Sequence, residues 1–207
     1  AECMAIGTAG YTAALCVLRL QDLGVGPDKG KLLVTGASGG VGSFAVSLLA
    51  ALGYDVVAST GRLDESDYLT KLGASEVIDR REFSEPGRPL GKERFAGAID
   101  AVGGQTLANV LSQIAYGGVV AACGLAQSHD LPTTVMPFIL RSVTLAGVDS
   151  VKAERSLRER AWTLLAERLD RPALVDITQT ARLEEIETIA PMLLDGRIRG
   201  RIVFDVS

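Results

Sequence analysis

The chain has 207 residues, of which 47% are hydrophobic and 22% charged, with a formal net charge of −4. That length gives one large or two small domains with a sizeable Ala/Val/Leu core. The acidic balance offers no general attraction to nucleic acid or anionic membrane surfaces, and no apolar run reads as long enough to span a bilayer. The N-terminus, Ala1-Glu2-Cys3, has no basic region and no signal-peptide core. Cys3, Cys16 and Cys123 show no C-x-x-C spacing and His129 is the only histidine. Cys16 and Cys123 sit in apolar surroundings and read as buried free thiols. The pattern is that of a cytoplasmic, reduced, metal-free protein.

In chain order, a helix is expected from about Thr8 to Leu23, ended by Gly24. A strand follows at Lys31–Thr35, then a glycine cluster and a helix to about Leu52, with Gly53 as the stop. Asp55–Ser59 reads as the second strand, Glu65–Leu72 as a helix ended by Gly73, and Glu76–Ile78 as a short third strand. Residues 80–94 carry Pro86 and Pro89 and read as a loop. Ala96–Asp100 is the fourth strand, Leu107–Ala115 a helix, Val119–Cys123 the fifth strand, and Val143–Val148 the sixth after a loop with Pro132 and Pro137. Short β-rich runs alternating with helices imply βαβ units and a parallel sheet covered on both faces. Beyond these come a helix over Glu154–Leu169 that stops before Pro172, an extended piece at Leu174–Thr178, a helix over Leu183–Leu194 and a last strand at Arg201–Val206. These last elements suggest a second structural unit.

The most informative stretch is Leu32-Leu33-Val34-Thr35-Gly36-Ala37-Ser38-Gly39-Gly40-Val41-Gly42. A buried strand, a glycine turn and a helix N-terminus in that order build a site for a dinucleotide pyrophosphate, with free N–H groups and the positive dipole end facing the negative charge. Aligning Gly39 and Gly42 with the second and third glycines of G-x-G-x-x-G puts Ala37 at the first. A plain strand–turn–helix connection is the simpler alternative.

An NAD-binding Rossmann fold usually ends its second strand in Asp or Glu, about 20 residues beyond the glycines. Here the strand runs out through Ala58-Ser59-Thr60-Gly61-Arg62. Two hydroxyls and a guanidinium suit a 2′-phosphate, so NADP(H) is expected over NAD(H). Arg62 facing solvent and Ser59 capping a helix form the alternative. Other strand ends should line the same crevice: Asp100-Ala101-Val102-Gly103 and Cys123-Gly124-Leu125. Gly103 and Gly124 either let a cofactor pass close to the backbone or simply form turns. The short-chain dehydrogenases share the Thr-Gly-Ala-Ser opening but need Tyr-x-x-x-Lys. Four residues after Tyr11, Tyr54, Tyr68 and Tyr116 stand Leu15, Ala58, Leu72 and Val120, so that class is excluded.

Ile6-Gly7-Thr8-Ala9-Gly10-Tyr11-Thr12-Ala13 and Val34–Gly42 resemble the medium-chain dehydrogenase/reductase superfamily on its zinc-independent quinone-reductase side. Leu72-Gly73-Ala74 and Gly196-Arg197-Ile198-Arg199-Gly200-Arg201 fit it too. Leu131-Pro132-Thr133-Thr134-Val135-Met136-Pro137-Phe138-Ile139-Leu140-Arg141, Gly147-Val148-Asp149-Ser150 and Ser59-Thr60-Gly61-Arg62 resemble the acrylyl-CoA reductase branch more narrowly. The resemblance implies a Rossmann α/β fold with a doubly wound parallel six-stranded sheet over 1–170. It also implies a segment, 171–207, that returns to complete a GroES-like barrel domain, with residues after about Leu169 lacking their partners. The barrel domain itself is absent from the sequence, which reads as the cofactor part of a longer protein. Expected activity is NADPH-dependent reduction of acrylyl-CoA to propionyl-CoA, with hydride going to the β-carbon of the conjugated thioester and a proton to the α-carbon. By position, Ser38, Gly39, Gly40, Val41 and Gly42 would hold the pyrophosphate, and Ser59 and Arg62 the 2′-phosphate. Thr12 and the Cys123-Gly124-Leu125 turn would sit near the nicotinamide end, Phe138, Ile139 and Leu140 would form part of its wall, and Val102 and Gly103 would contact the cofactor from the end of the fourth strand. For each of these the alternative is packing or turn formation, and no catalytic residue or metal ligand is assigned.

The partner is expected to be an acyl-CoA or enone, with no nucleic acid or membrane. An exposed apolar sixth strand over about 143–148 also predicts a homodimer through that edge. Other readings are a quinone or enone reductase and, in a different class, a non-catalytic NADPH-sensing or structural module. The chain alone is expected to bind NADPH weakly at best and not to turn over.

Overall fold

The computed structural model describes residues 2–206. Helix α1 (Glu2–Asp22) starts earlier than its sequence pattern, because a kink at Gly7 (φ 48°, ψ −155°) joins a short first turn to the regular stretch beginning at Thr8. It is long and apolar enough to cross a membrane by length and composition, which corrects the sequence expectation of no such run. In the fold most of it is buried, its Ala13, Ala14, Cys16, Val17 and Leu20 fully covered.

From β1 (Leu32–Val34), α2 (Gly40–Ala51), β2 (Val56–Thr60), α3 (Ser66–Lys71) and β3 (Glu76–Asp79), the chain passes to β4 (Phe95–Asp100), α4 (Gly104–Leu111), β5 (Ile114–Ala122), α5 (Met136–Arg141) and β6 (Thr144–Gly147). The six strands form one wholly parallel sheet in the order β3-β2-β1-β4-β5-β6. Alternation along the strands sends side chains to two cores. Leu32, Val34, Val56 and Ala58 pack with α1 and α2, while Leu33, Val57 and Ile78 pack with Leu107, Val110 and Leu111 of α4. Both faces are therefore apolar, as a covered parallel sheet requires. The strand order reverses between β1 and β4, and in such sheets the crevice at the carboxyl ends of the two central strands is where ligands bind.

Two sequence expectations fail in the same way. The loop before β6 holds α5, with Pro137 in its first turn, and the extended piece expected at Leu174–Thr178 is instead α7 (Arg171–Ile177), with Pro172 in its first turn. Proline there loses only an N–H that has no helical partner and arrives with helical φ. Leu174 and Ile177 are buried in the larger core, so the chain just beyond Leu169 does have partners. It follows α6 (Arg155–Arg168) and leads into β7 (Thr178–Arg182), α8 (Ile186–Leu194) and β8 (Arg201–Asp205). Strands β7 and β8 pair in parallel as a separate two-stranded sheet. No residue of α8 is buried; Leu194 is 88% exposed. The edge strand β6 is only partly covered, and Val135, Ile139 and Leu140 before it are exposed.

Candidate functional site

A cleft of about 890 Å³ opens at the carboxyl edge of the sheet. Its floor is the turn after β1: Thr35, Gly36, Ser38, Gly39, Gly40, Val41 and Gly42. One glycine role differs from the sequence alignment. Ala37 is fully buried, and the left-handed conformation the turn needs falls on Gly36 (φ +59°). Gly42 is fixed by proximity: a Cβ there would lie 2.6 Å from the Cα of Ala37 and 2.8 Å from the carbonyl carbon of Gly36. Helix α2 begins at Gly40 with no acidic residue in its first turn. Its leading N–H groups lack intrahelical acceptors and point, with the positive end of the helix dipole, into the cleft.

The end of β2 forms one wall. Ser59 and Thr60 are fully buried, and Ser38 and Thr60 share a hydroxyl–hydroxyl bond of 2.9 Å. The Oγ of Ser59 has no hydrogen-bond partner, nor does Ser59 cap a helix. Arg62 does not face free solvent. Its Nη2 donates to the carbonyl of Ser38 (3.1 Å), the Oγ of Ser38 (2.9 Å) and the carbonyl of Ile198 (2.9 Å). It thereby ties the glycine turn to a segment 136 residues away. The backbone N–H of Gly200 also donates to the Ser38 carbonyl (3.0 Å), and Leu193, Asp195, Gly196, Arg197 and Ile198 line the same cleft. Arg80 and Arg81, just beyond β3, join the wall as well. The sequence reading missed both, because it looked for cations only at the end of β2.

The opposite wall comes from β4. Asp100 is fully buried and accepts from the Thr35 hydroxyl (2.6 Å), the Gly103 N–H (2.8 Å) and the Val102 N–H (3.3 Å). It pins the end of β1 to the turn after β4, which puts Val102 on the cleft. Burial pushes its carboxyl above the usual carboxylate value, and the three donors oppose that rise.

Of the sequence-predicted residues, Ser38, Gly39, Gly40, Val41, Gly42, Ser59, Arg62 and Val102 line this one cleft, joined by Thr106, Ala126 and Gln127. The others do not line it. Thr12 is buried and its hydroxyl donates to the Thr8 carbonyl (2.7 Å) within α1. Gly124 is required by its own surroundings, since a Cβ would lie 2.5 Å from the Ala101 carbonyl oxygen, and Gly103 likewise crowds the Ser128 carbonyl. Cys123 is half-buried rather than buried, its thiol 3.4 Å from the Asp100 carbonyl. A hydrogen bond with Cys123, followed by burial, raises the pKa of the Cys16 thiol well above its usual value. Phe138 packs on the second core, whereas Leu125, Ile139 and Leu140 are exposed. Among the described residues, no group of three or more His, Cys, Asp or Glu side chains is placed to hold a metal ion.

The family model for the zinc-binding dehydrogenases matches residues 40–167, from the N-terminus of α2 to the end of α6. An acrylyl-CoA reductase of Ruegeria pomeroyi is 48% identical over 207 residues, covering 100% of this chain and 63% of that protein. An Escherichia coli protein solved with bound NADPH is 52% identical with a TM-score of 0.96, covering 99% of this chain and 63% of that one. A Bacillus subtilis protein solved with NAD bound is 47% identical with a TM-score of 0.93, at the same coverages of 99% and 63%. The chain thus spans a little under two thirds of the length of these relatives.

Proposed function

The chain belongs to the zinc-binding dehydrogenase family, and on that footing we propose that it is the cofactor-holding part of an NADPH-dependent reductase of α,β-unsaturated acyl-CoA thioesters, taking acrylyl-CoA to propionyl-CoA. The observation that carries this reading is the cleft itself. Its glycine turn and open helix N-terminus lie at the strand-order switch, and its β2 end carries hydroxyls and guanidiniums where an NAD-specific site would carry a carboxylate. Relatives of similar identity were solved with NADPH and with NAD, so the preference for NADPH rests on this chain's own residues.

The residues fit the dinucleotide. The floor presents backbone N–H groups to a pyrophosphate at Gly40, Val41 and Gly42, and Gly42 lets the start of α2 close against the Gly36–Ala37 turn. Ser38, Ser59 and Arg62 stand at the end that would receive the ribose phosphate. The turn after β4, with Val102 on the cleft, and the adjoining turn after β5, with Cys123, Gly124 and Leu125, would face the nicotinamide side, whereas Thr12 and Phe138 are engaged inside the fold. NADPH, when bound, would supply the hydride for the β-carbon of the thioester. The charge then developing on the thioester oxygen needs hydrogen-bond donors, and these come from the substrate half of the site.

Three observations support a longer working unit. The α8 face is unburied, β7 and β8 form only a two-stranded sheet, and the chain spans 63% of its relatives. Residues 171–207 read as the return segment of a GroES-like barrel, and 1–170 as the cofactor domain. The half-covered β6 edge reads as a homodimer contact. The test is NADPH oxidation by the 207-residue chain and by a protein carrying it with a complete barrel, each given acrylyl-CoA or a quinone. Acrylyl-CoA-dependent oxidation is expected only from the larger protein. Turnover by the chain alone, or a preference for the quinone, overturns the corresponding part of the reading. A monomeric mass in light scattering at micromolar concentration overturns the dimer.

A further inference from the structure

The cations at the end of β2 are not equivalent, and the sequence-marked one is already engaged. Arg62 spends its Nη2 on three oxygens of the protein, two of them on Ser38 and one on Ile198. Arg81 is held by Asp79, which accepts from its backbone N–H (2.8 Å) and Nε (2.8 Å) and pairs with its Nη2 (2.5 Å). Arg197 pairs with Asp195 at 2.9 Å. Arg80 is different: it is exposed, it lines the cleft, and among the described residues it has neither an ion-pair nor a hydrogen-bond partner.

Its position is set by register. Strand β3 runs parallel to β2 with Asp79 beside Thr60, so the next residue, Arg80, comes out beside Gly61. The side chain then lies across Gly61. A Cβ built on that glycine would be 2.5 Å from the Nε of Arg80, 2.7 Å from its Cζ and 2.9 Å from its Cδ. Gly61 has an ordinary backbone conformation and sits at the surface, so no left-handed turn explains a glycine here. What the missing side chain leaves is a seat for a guanidinium, directly after the two buried hydroxyl residues Ser59 and Thr60.

We propose that Arg80, not Arg62, is the residue that reads the 2′-phosphate of NADP(H), and that Arg62 is a positioning residue holding the glycine turn against the C-terminal segment. This division of labour rests on the NADPH reading given above. It follows from donor accounting: a phosphate monoester is best held by a guanidinium whose N–H groups are all free, as those of Arg80 are, whereas the Nη2 bonds of Arg62 fix its orientation and leave only Nε and Nη1 for a ligand. Swinging the Arg62 Nη2 edge onto a phosphate would cost the Ile198 carbonyl its 2.9 Å bond, while the Ser38 carbonyl would keep the Gly200 N–H.

The test uses calorimetric titration with NADPH and NADH of a protein carrying this chain with a complete barrel, unsubstituted and as Arg80→Ala, Arg80→Lys and Arg62→Ala. Arg80→Ala is expected to weaken NADPH about 10- to 100-fold, the range of a charge-assisted phosphate contact, and to leave NADH unchanged. Arg80→Lys should restore part of the difference, and Arg62→Ala should weaken both nucleotides alike. A preference for NADPH that survives Arg80→Ala, or one that is lost only in Arg62→Ala, overturns the assignment alone. Equal affinities for the two nucleotides in the unsubstituted protein with its barrel, or no binding of either, overturn the NADPH reading and this assignment with it.

Discussion

Replacing Gly42 by alanine sets two well-known tendencies against each other. Within a helix, alanine is favoured over glycine by about 1 kcal/mol, so propensity alone makes Gly42→Ala stabilising. Packing opposes it. The new methyl would meet the Ala37 Cα at 2.6 Å and the Gly36 carbonyl carbon at 2.8 Å, both backbone atoms of the turn that α2 closes on. No rotamer change relieves such a clash, and forcing a carbon into a filled space costs about 1–3 kcal/mol. The clash also works against the left-handed Gly36, so the turn must shift as a unit. The net expectation is a loss of up to about 2 kcal/mol, or up to roughly 8 °C in melting temperature for a domain of this size, together with weaker NADPH binding. Gly40→Ala is the matched control: its methyl would lie 3.2 Å from the Cδ of Arg201 and 3.3 Å from the Cβ of Ala9, and the arginine stem can move. It should stay within about 0.5 kcal/mol of the parent. Thermal melts and NADPH titrations of both variants decide the matter. A Gly42→Ala protein that melts at or above the parent and binds NADPH as well refutes the reasoning.

Arg62→Ala removes a donor from three carbonyl or hydroxyl oxygens at once. Urea denaturation should show a loss of about 1.5–3 kcal/mol, and an unchanged midpoint would mean that the link to Ile198 carries no stability. Asp100 has a folded pKa raised above its ordinary 3.8 by burial. Its contribution is therefore fully present below 3.8 and is lost as pH rises through the raised value, because the unfolded chain releases the proton first. Asp100→Asn should flatten stability across that window. Denaturation midpoints measured below and above it test the sign, and a parent whose stability rises there faster than the variant's contradicts it. Tyr54→Phe leaves the Val25 carbonyl without the 2.8 Å bond from the tyrosine hydroxyl and should cost about 1 kcal/mol by the same assay. No change in midpoint would refute this.

The strand–helix alternation was legible because buried parallel strands and their covering helices differ in period. All six strands of the main sheet overlap the runs read as strands, although β5 starts at Ile114, inside the stretch Leu107–Ala115 read as helix. Two of the misreadings came from proline. Pro137 and Pro172 were treated as interruptions, yet each stands in the first turn of a short helix, the one place in a helix that suits it. A single sequence says that proline breaks something. Whether it ends one helix or starts another depends on what the next apolar residues find to pack on. For Leu174 and Ile177 that is the core under α1 and α2, far away in sequence.

The site was legible to the same depth and for the same reason. Glycines and helix starts are local, so the floor of the cleft could be read directly, down to an error of one residue at Gly36. Charge placement is not local. Ser59–Arg62 stands out because it follows a strand, and so Arg62 draws the eye. Where its guanidinium goes depends on Ile198, and where a free guanidinium remains depends on the register of β3 beside β2. Once Asp79 is known to lie beside Thr60, Arg80 must emerge beside Gly61, and the absence of a side chain at Gly61 acquires a reason. In a parallel sheet the residues that discriminate between ligands are neighbours across strands, so a motif confined to one strand end identifies the pocket before it identifies the residue that reads the ligand.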